Sequence, residues 1–166
     1  MADQAQVDRI KASVEEWNQW RGSDPDLIID LSEADLSGSN LSRAELDRAI
    51  LNGANLNGAN LRGASLRSAN LNRANLNRTN LDRADLGMAD LYKANLSGAN
   101  LSGASFNGSN LLSANLSGTN LIGATLRDAT LTSANLSGAN VRGADLRGSN
   151  WQAASSPANI REAIRW

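Results

Sequence analysis

The sequence predicts an all-β solenoid with four sides and a helical cap at each end. A large apolar residue recurs every five positions from Leu31 to Trp151, and 22 of these 25 residues are leucine. Alanine stands two positions before the large residue at 19 of the sites, and asparagine stands one position before it at 14. The unit reads Ala-Asn-Leu-x-Gly, as in 54–58.

A period of five fits neither regular element. On an α-helix of about 3.6 residues per turn, the leucines would spiral around every side. On a flat strand, successive leucines would alternate between the two faces. All of them can reach one core only if the chain turns a corner within each unit, so we expect a coil with the leucine and alanine side chains inside.

The asparagines indicate how many units make one coil. Sorted by a period of 20, the residues before the large apolar one are all asparagine in the series from 40 to 140 and never asparagine in the series from 45 to 145. A period of 15 separates nothing. We therefore expect four units per coil and about six coils, stacked at roughly 4.8 Å. Faces one to four hold Leu31, Leu36, Leu41 and Leu46, each with every twentieth residue after it.

The corners carry glycine at 12 sites, two positions after the large residue. Glycine there suggests a positive φ, as a type II turn requires. Corners with Arg48, Arg73 or Lys93 are expected to use a different turn, because arginine and lysine resist a positive φ. Stacked asparagines are expected to bond to nearby backbone and from coil to coil.

These units resemble the pentapeptide repeat family, in a bacterial, cyanobacterial-like form, over residues 29 to 153. The lead-in from Trp17-Asn18-Gln19-Trp20-Arg21 to Asp30-Leu31-Ser32 also looks like the entry segment of bacterial members. The resemblance implies a right-handed quadrilateral β-helix. It carries over no catalytic residues. Most members have no assigned function, a few resemble duplex DNA and protect gyrase, and others act in signalling or differentiation through protein contacts.

The ends are expected to be capped, because an open solenoid exposes strand edges. Residues 1–28 form the N-terminal cap, with one amphipathic helix over 3–20 that Gly22 terminates. Residues 154–166 form a short C-terminal helix beginning at Pro157, capped by Ser156. All four tryptophans lie at the ends, as core plugs or, alternatively, as a site for a ligand or partner. They are Trp17, Trp20, Trp151 and Trp166.

The composition excludes the commonest kinds of catalytic and metal-binding site. The chain has no cysteine and no histidine, which removes thiolate sites, disulfides and a Ser-His-Asp triad. We expect no catalytic, cofactor or metal site. The polar N-terminus and the absence of a long apolar run predict a cytoplasmic protein without membrane insertion. A net charge of -1 gives no general attraction to nucleic acid.

Two surfaces are candidates for partner contact. The apolar patch consists of Met88, Tyr92, Leu112 and Ile50, which point outward on or beside face one. The basic band comprises six mid-rod cations: Arg62, Arg67, Arg73, Arg78, Arg83 and Lys93. Acids are interleaved with the band, and Arg62 should stack with Asp82 one coil away. The band is interpreted first as a solvated charge ladder, then as a protein contact, and least as a nucleic-acid site.

The sequence therefore favours a non-enzymatic interaction or scaffolding protein, with an unknown protein partner, acting as a monomer or weak homodimer. The alternative is a DNA mimic that inhibits or protects a type II topoisomerase. Mimicry needs a strongly negative rod. Residues 29 to 153 hold 11 basic and 10 acidic side chains, which argues against it.

Overall fold

A computed structural model describes residues 2–24, 26–155, 159 and 163. Two helices come first, α1 (Gln4–Ala12) and α2 (Val14–Ser23). The repeat region follows, and a 3₁₀ helix (Trp151–Ala153) comes near its end. Within residues 30–155 the coils are joined by isolated parallel bridges rather than by extended strands.

The bridges join residues that are 20 positions apart, such as Asn55 with Asn75 and Asn75 with Asn95. From Leu31 to Leu126, each large residue also donates its N–H to the next coil, as Leu56 does to the carbonyl of Asn75 at 2.7 Å. This register confirms four units per coil. Since one unit occupies each side, face one lies opposite face three.

The core consists of the leucine and alanine columns, which are buried along the rod, with Phe106 taking one leucine position. Trp151 differs. The chain after Asn150 winds into the 3₁₀ helix instead of an extended corner, and Trp151 is only half-buried against the core. The prediction that all 25 large residues reach the core is therefore wrong at this last position, where the repeat ends.

All 24 corners from Glu33 to Gly148 have a φ between 55° and 72°. The expectation of a different turn at Arg48, Arg73 and Lys93 is wrong, since their φ angles are 59°, 58° and 55°. The hydrogen bonds explain this. At the corners from Glu33 to Ser133 an N–H bonds to the next coil while the following N–H closes the type II turn, as for Arg73 to Tyr92 at 2.9 Å and Ala74 to Leu71 at 3.0 Å. These bonds outweigh a cost of about 1–2 kcal/mol per residue.

The predicted asparagine ladder is confirmed. The Asn75 amide donates to the Asn55 Oδ1 at 3.2 Å and accepts from Asn95 at 3.4 Å. The same Oδ1 accepts the backbone N–H of Asn77 at 3.3 Å. The asparagines within the ladders on faces two and three thus bond both to their own corners and to their neighbours, which explains why this side chain recurs there.

The N-terminal cap contains two helices, not one. Ser13 interrupts the helix because it has an extended conformation (φ -158°), and its Oγ accepts from the Glu16 N–H at 3.2 Å. An N-cap thereby overrides the apolar periodicity. Gly22 does not end a helix either. It lies inside α2, which ends at Ser23 before the extended Asp24.

Side chains of the cap replace the hydrogen bonds of a preceding coil. The Gln6 amide accepts from the Asp30 N–H at 2.8 Å and donates to the Ile28 carbonyl at 3.1 Å. Asn18 pairs with the exposed backbone of face four in the same manner, accepting from the Glu45 N–H at 2.9 Å. The first edge of the β-helix is therefore satisfied by side chains.

The predicted C-terminal helix lies almost entirely outside the described residues, as does Trp166. Of that segment, the Asn159 side chain extends the face-three ladder, because its amide donates to the Asn140 Oδ1 at 2.6 Å. Ser155 extends the face-two ladder in the same way, at 3.0 Å from Asn135.

Candidate interaction surfaces

The apolar patch lies along face one and the corner that leads into it. Tyr92 and Leu112 are half-buried and stack one coil apart. Ile50 is half-buried two coils away in a different outward column, which bridges through Asn70 to Asp90, so it lies apart from Tyr92. The Lys93 amino group lies 5.0 Å from the centre of the Tyr92 ring, close enough for a cation–π contact. The patch therefore includes a charged residue of the basic band.

Met88 is the most exposed member of the patch, with 66% of its surface accessible. It occupies a corner with a φ of 59°, a conformation that costs energy for any residue with a Cβ atom. Its side chain leans over the next coil, where a Cβ atom at Gly108 would lie 3.7 Å from the Met88 Cγ. Because its side chain is exposed, Met88 does not contribute to the buried leucine core.

Two exposed apolar residues were not among the candidates from the sequence. Ile28 is 71% exposed just before the first coil, and Ile122 is 41% exposed on face three. The signal for Ile122 was present, since it stands one position after Leu121, where the repeat points outward. Ile28 gave no such signal, because it precedes the repeats.

The basic band does not form one surface. Arg62 lies on face three and Arg67 on face four, while the other members occupy three different corners, as the 20-residue register requires. Two members have acidic partners one coil away, confirming the expected stacking for Arg62 with Asp82 at 3.1 Å. Arg67 bonds to Asp85 at 2.9 Å. Such exposed pairs stabilise the rod only slightly.

Asp85 has the best-defined electrostatic environment in the band. Partial burial raises the pKa of its carboxyl, but the Gly87 N–H and the Arg67 guanidinium outweigh burial and hold that pKa below its ordinary value. In turn, the hydrogen bond that Arg67 donates to Asp85 raises the pKa of the Arg67 guanidinium. Both groups are therefore charged at neutral pH and act as a structural pair.

No catalytic or metal-binding geometry is evident in the described part of the chain. There, no group of three or more histidine, cysteine, aspartate or glutamate side chains could hold a metal ion. The depressions on the rod are open and lined by corner and ladder side chains. The features that this surface presents to another molecule are its shape and its charge.

The family model described as pentapeptide repeats, in eight copies, matches residues 29–67, 59–98, 69–108 and 109–148. These matches extend over more than two-thirds of the sequence. The chain is a pentapeptide repeat protein. Members of this family form right-handed quadrilateral β-helices, and the two helices of this pentapeptide repeat protein fit an N-terminal cap.

Solved structures of other pentapeptide repeat proteins resemble this one. HetL, from the cyanobacterium Nostoc sp. strain PCC 7120 and involved in the regulation of heterocyst differentiation, is 38% identical with a TM-score of 0.57. The match covers 82% of this chain but 64% of HetL. A second Nostoc PCC 7120 protein, alr5209, is 34% identical over 61% of this chain and 84% of its own, with a TM-score of 0.52.

QnrB1, a plasmid-mediated fluoroquinolone resistance protein, shares the fold at 24% identity and a TM-score of 0.60, over 83% of this chain and 78% of its own. No curated protein sequence matches this pentapeptide repeat protein. Neither helix in its described residues is long and apolar enough to cross a bilayer.

Proposed function

We propose that this pentapeptide repeat protein is a non-enzymatic interaction or scaffolding module, which presents the side faces of a rigid rod of about six coils to a protein partner. The observation that carries the proposal is Met88. This apolar residue is 66% exposed. Exposed apolar side chains that cluster on an otherwise polar surface are typical of contact sites.

The surroundings of Met88 support a protein partner. Tyr92 and Leu112 extend the apolar surface along face one, and both retain accessible area. Aromatic residues and methionine are enriched in protein interfaces. HetL, which is related to this chain over most of its length, is involved in regulating differentiation, and regulation of that kind is consistent with protein contacts.

Mimicry of DNA, the alternative, finds no support in the arrangement of charge. A mimic needs a continuous negative surface, whereas the repeat region alternates acids with arginines such as Arg62 and Arg67 on adjacent faces. The likeness to QnrB1 is one of fold alone. Inhibition of gyrase supercoiling at low protein concentration would reverse this order.

The proposal is tested by affinity capture from the cells that produce the protein. The variant replaces Met88, Tyr92 and Leu112 with serine. Its matched control is Ile28→Ser, which removes an exposed apolar residue elsewhere. We expect at least one protein to bind the wild type and the control but not the triple variant. If all three retain the same proteins, and their sedimentation is identical, the apolar patch is not the contact surface.

A further inference from the structure

The near-zero net charge of the repeat region conceals a segregation of charge between its faces. Face three and its two corners carry five arginines and a single acid, Asp82. These arginines, called here the face-three stripe, are Arg43, Arg62, Arg78, Arg83 and Arg142. The other repeat positions from 29 to 153 carry six basic and nine acidic residues. Face three is thus four charges positive on a rod that is otherwise three charges negative.

Three members of the face-three stripe line one depression. Arg43, Arg62 and Arg83 surround it, with Ser42, Asn60 and Gly63 between them. Arg43 and Arg83 occupy the same corner column two coils apart, about 10 Å along the rod. Gly63 lies between them and leaves the depression open. A Cβ atom there would approach the Arg43 Cγ to 3.8 Å.

The corner arginines contribute little that the fold itself requires. Their φ angles are 60° at Arg43 and 57° at Arg83, a conformation that glycine adopts at lower cost. Within the described residues, the ion pairs involve neither of them. Among the described residues Arg62 forms an ion pair with Asp82 alone, and its side chain remains 59% exposed. Two cations without an ion pair in the described residues thus lie beside a third around one depression, and this grouping indicates a site for an external anion.

The outward side chains of face three favour a protein segment over nucleic acid as the occupant. None of them is aromatic, so bases have no platform on which to stack. Ile122 lies in the same outward column as Arg62, three coils further on, and is 41% exposed. That separation is about 14 Å, close to four residues of an extended chain. An apolar anchor beside cations matches a peptide with both kinds of side chain.

We propose that face three binds an acidic, extended segment of a protein partner, with its carboxylates on Arg43, Arg62 and Arg83 and an apolar side chain against Ile122. This inference rests on the proposed function and names one of its surfaces. Because face three lies opposite the apolar patch on face one, the rod can hold two partners at the same time. A scaffold requires that property.

The test uses the full chain and a labelled peptide of about a dozen residues, with glutamate at alternate positions and a leucine about three positions beyond the last glutamate, since Arg83 and Ile122 lie two coils, about 10 Å, apart along the rod. The variant is Arg43→Glu with Arg83→Glu. Glutamate is tolerated at such corners, because Glu33 has a φ of 60°. The matched control is Arg48→Glu with Arg73→Glu, two corner arginines on other sides of the rod with φ angles of 59° and 58°.

We expect the peptide to bind the wild type and the control, and to bind the Arg43/Arg83 variant about tenfold or more weakly, since each reversal replaces an attraction with a repulsion. Binding to the wild type should weaken as NaCl rises from about 0.05 M to about 0.5 M. Ile122→Ser should weaken binding without changing this salt dependence. Circular dichroism monitors folding, and Arg43→Gln with Arg83→Gln serves if the reversed variant unfolds.

Three results would overturn the assignment of face three. They are no binding to the wild type, an equal loss in the variant and its control, and tighter binding of a single-stranded or duplex oligonucleotide than of the peptide. The last result would identify a nucleic-acid surface. Capture that depends on the apolar patch is measured separately. A failed peptide titration with successful capture therefore removes this inference and leaves the proposed function intact.

Discussion

The indole N–H of Trp17 donates to the backbone carbonyl of Glu45 at 3.0 Å. In later coils the equivalent carbonyl accepts from the preceding coil, as that of Ser65 does from Leu46 at 2.8 Å. For Glu45 no preceding coil exists on face four. A tryptophan side chain therefore takes the place of a backbone donor while its ring covers the open end of the leucine core, where it is fully buried.

Replacing Trp17 should separate these two roles. Trp17→Phe keeps most of the apolar cover but leaves the Glu45 carbonyl without its donor, so we expect the free energy of unfolding to fall by about 1–3 kcal/mol. Trp17→Ala should cost about 3–5 kcal/mol. Urea denaturation measures both. Trp20→Phe is the control, since Trp20 is only partly buried, and a loss as large as that of Trp17→Phe would contradict this account.

The ladder on face two gives a second prediction. Asn75 both donates and accepts along the ladder, so Asn75→Ala should remove two inter-coil bonds and the bond to the Asn77 N–H. We expect a loss of about 1–3 kcal/mol, at roughly 1 kcal/mol for each net hydrogen bond. Asn72→Ala is the matched control on face one, because the buried Oδ1 of Asn72 accepts no hydrogen bond from the part of the chain that the structure describes. The control should change stability far less in the same urea titration.

The repeat region and the cap differ in how well the sequence alone predicts their structure. The inward columns and the 20-residue register can be predicted because the repeat is strict. Every unit shows the same pattern, so an atypical residue at one position does not change the prediction. The cap has no such redundancy. Ser13 breaks a helix that Val7, Ile10, Val14 and Trp17 would otherwise continue, and one capping hydroxyl was enough to override that pattern.

The candidate surfaces were harder to predict for a different reason. The basic band consists of residues that are close in sequence, whereas corners separated by five residues face different sides of the rod. Arg43 and Arg83 are 40 positions apart and line one depression, but Arg78 and Arg83 occupy different corners. The face-three stripe becomes evident only when the 20-residue register is used to assign every charged residue to a face.

The pair formed by Arg67 and Asp85 predicts a dependence on pH. Asp85 has a pKa below its ordinary value in the folded state, so it contributes stability above about pH 4, the ordinary range of an aspartate. That contribution is lost as the pH falls through the lowered pKa. Arg67→Gln removes a hydrogen bond and a positive charge, and the pKa of Asp85 should rise towards its ordinary value.

Carbon-detected NMR titration of the Asp85 carboxyl measures this shift directly. The difference in stability between the wild type and Arg67→Gln should also shrink as the pH is lowered below about 4. Arg73→Gln is the control, because Arg73 forms none of the ion pairs within the described residues. An unchanged Asp85 pKa in Arg67→Gln would show that the hydrogen bonds from Gly87 and Ser105, and not Arg67, hold it below its ordinary value.

The corners allow conformational strain to be measured in isolation. Gly58 and Arg78 occupy the same corner column one coil apart, with φ angles of 65° and 55°. A Cβ atom at Gly58 would meet nothing within 4 Å, so Gly58→Ala adds only the cost of a left-handed alanine, about 1 kcal/mol. Arg78→Ala should change stability by less than about 0.5 kcal/mol, because arginine already bears the same cost. Urea midpoints that fall equally in both variants would mean that the long Arg78 stem packs on the rod, and that the backbone conformation is not what separates glycine corners from arginine corners.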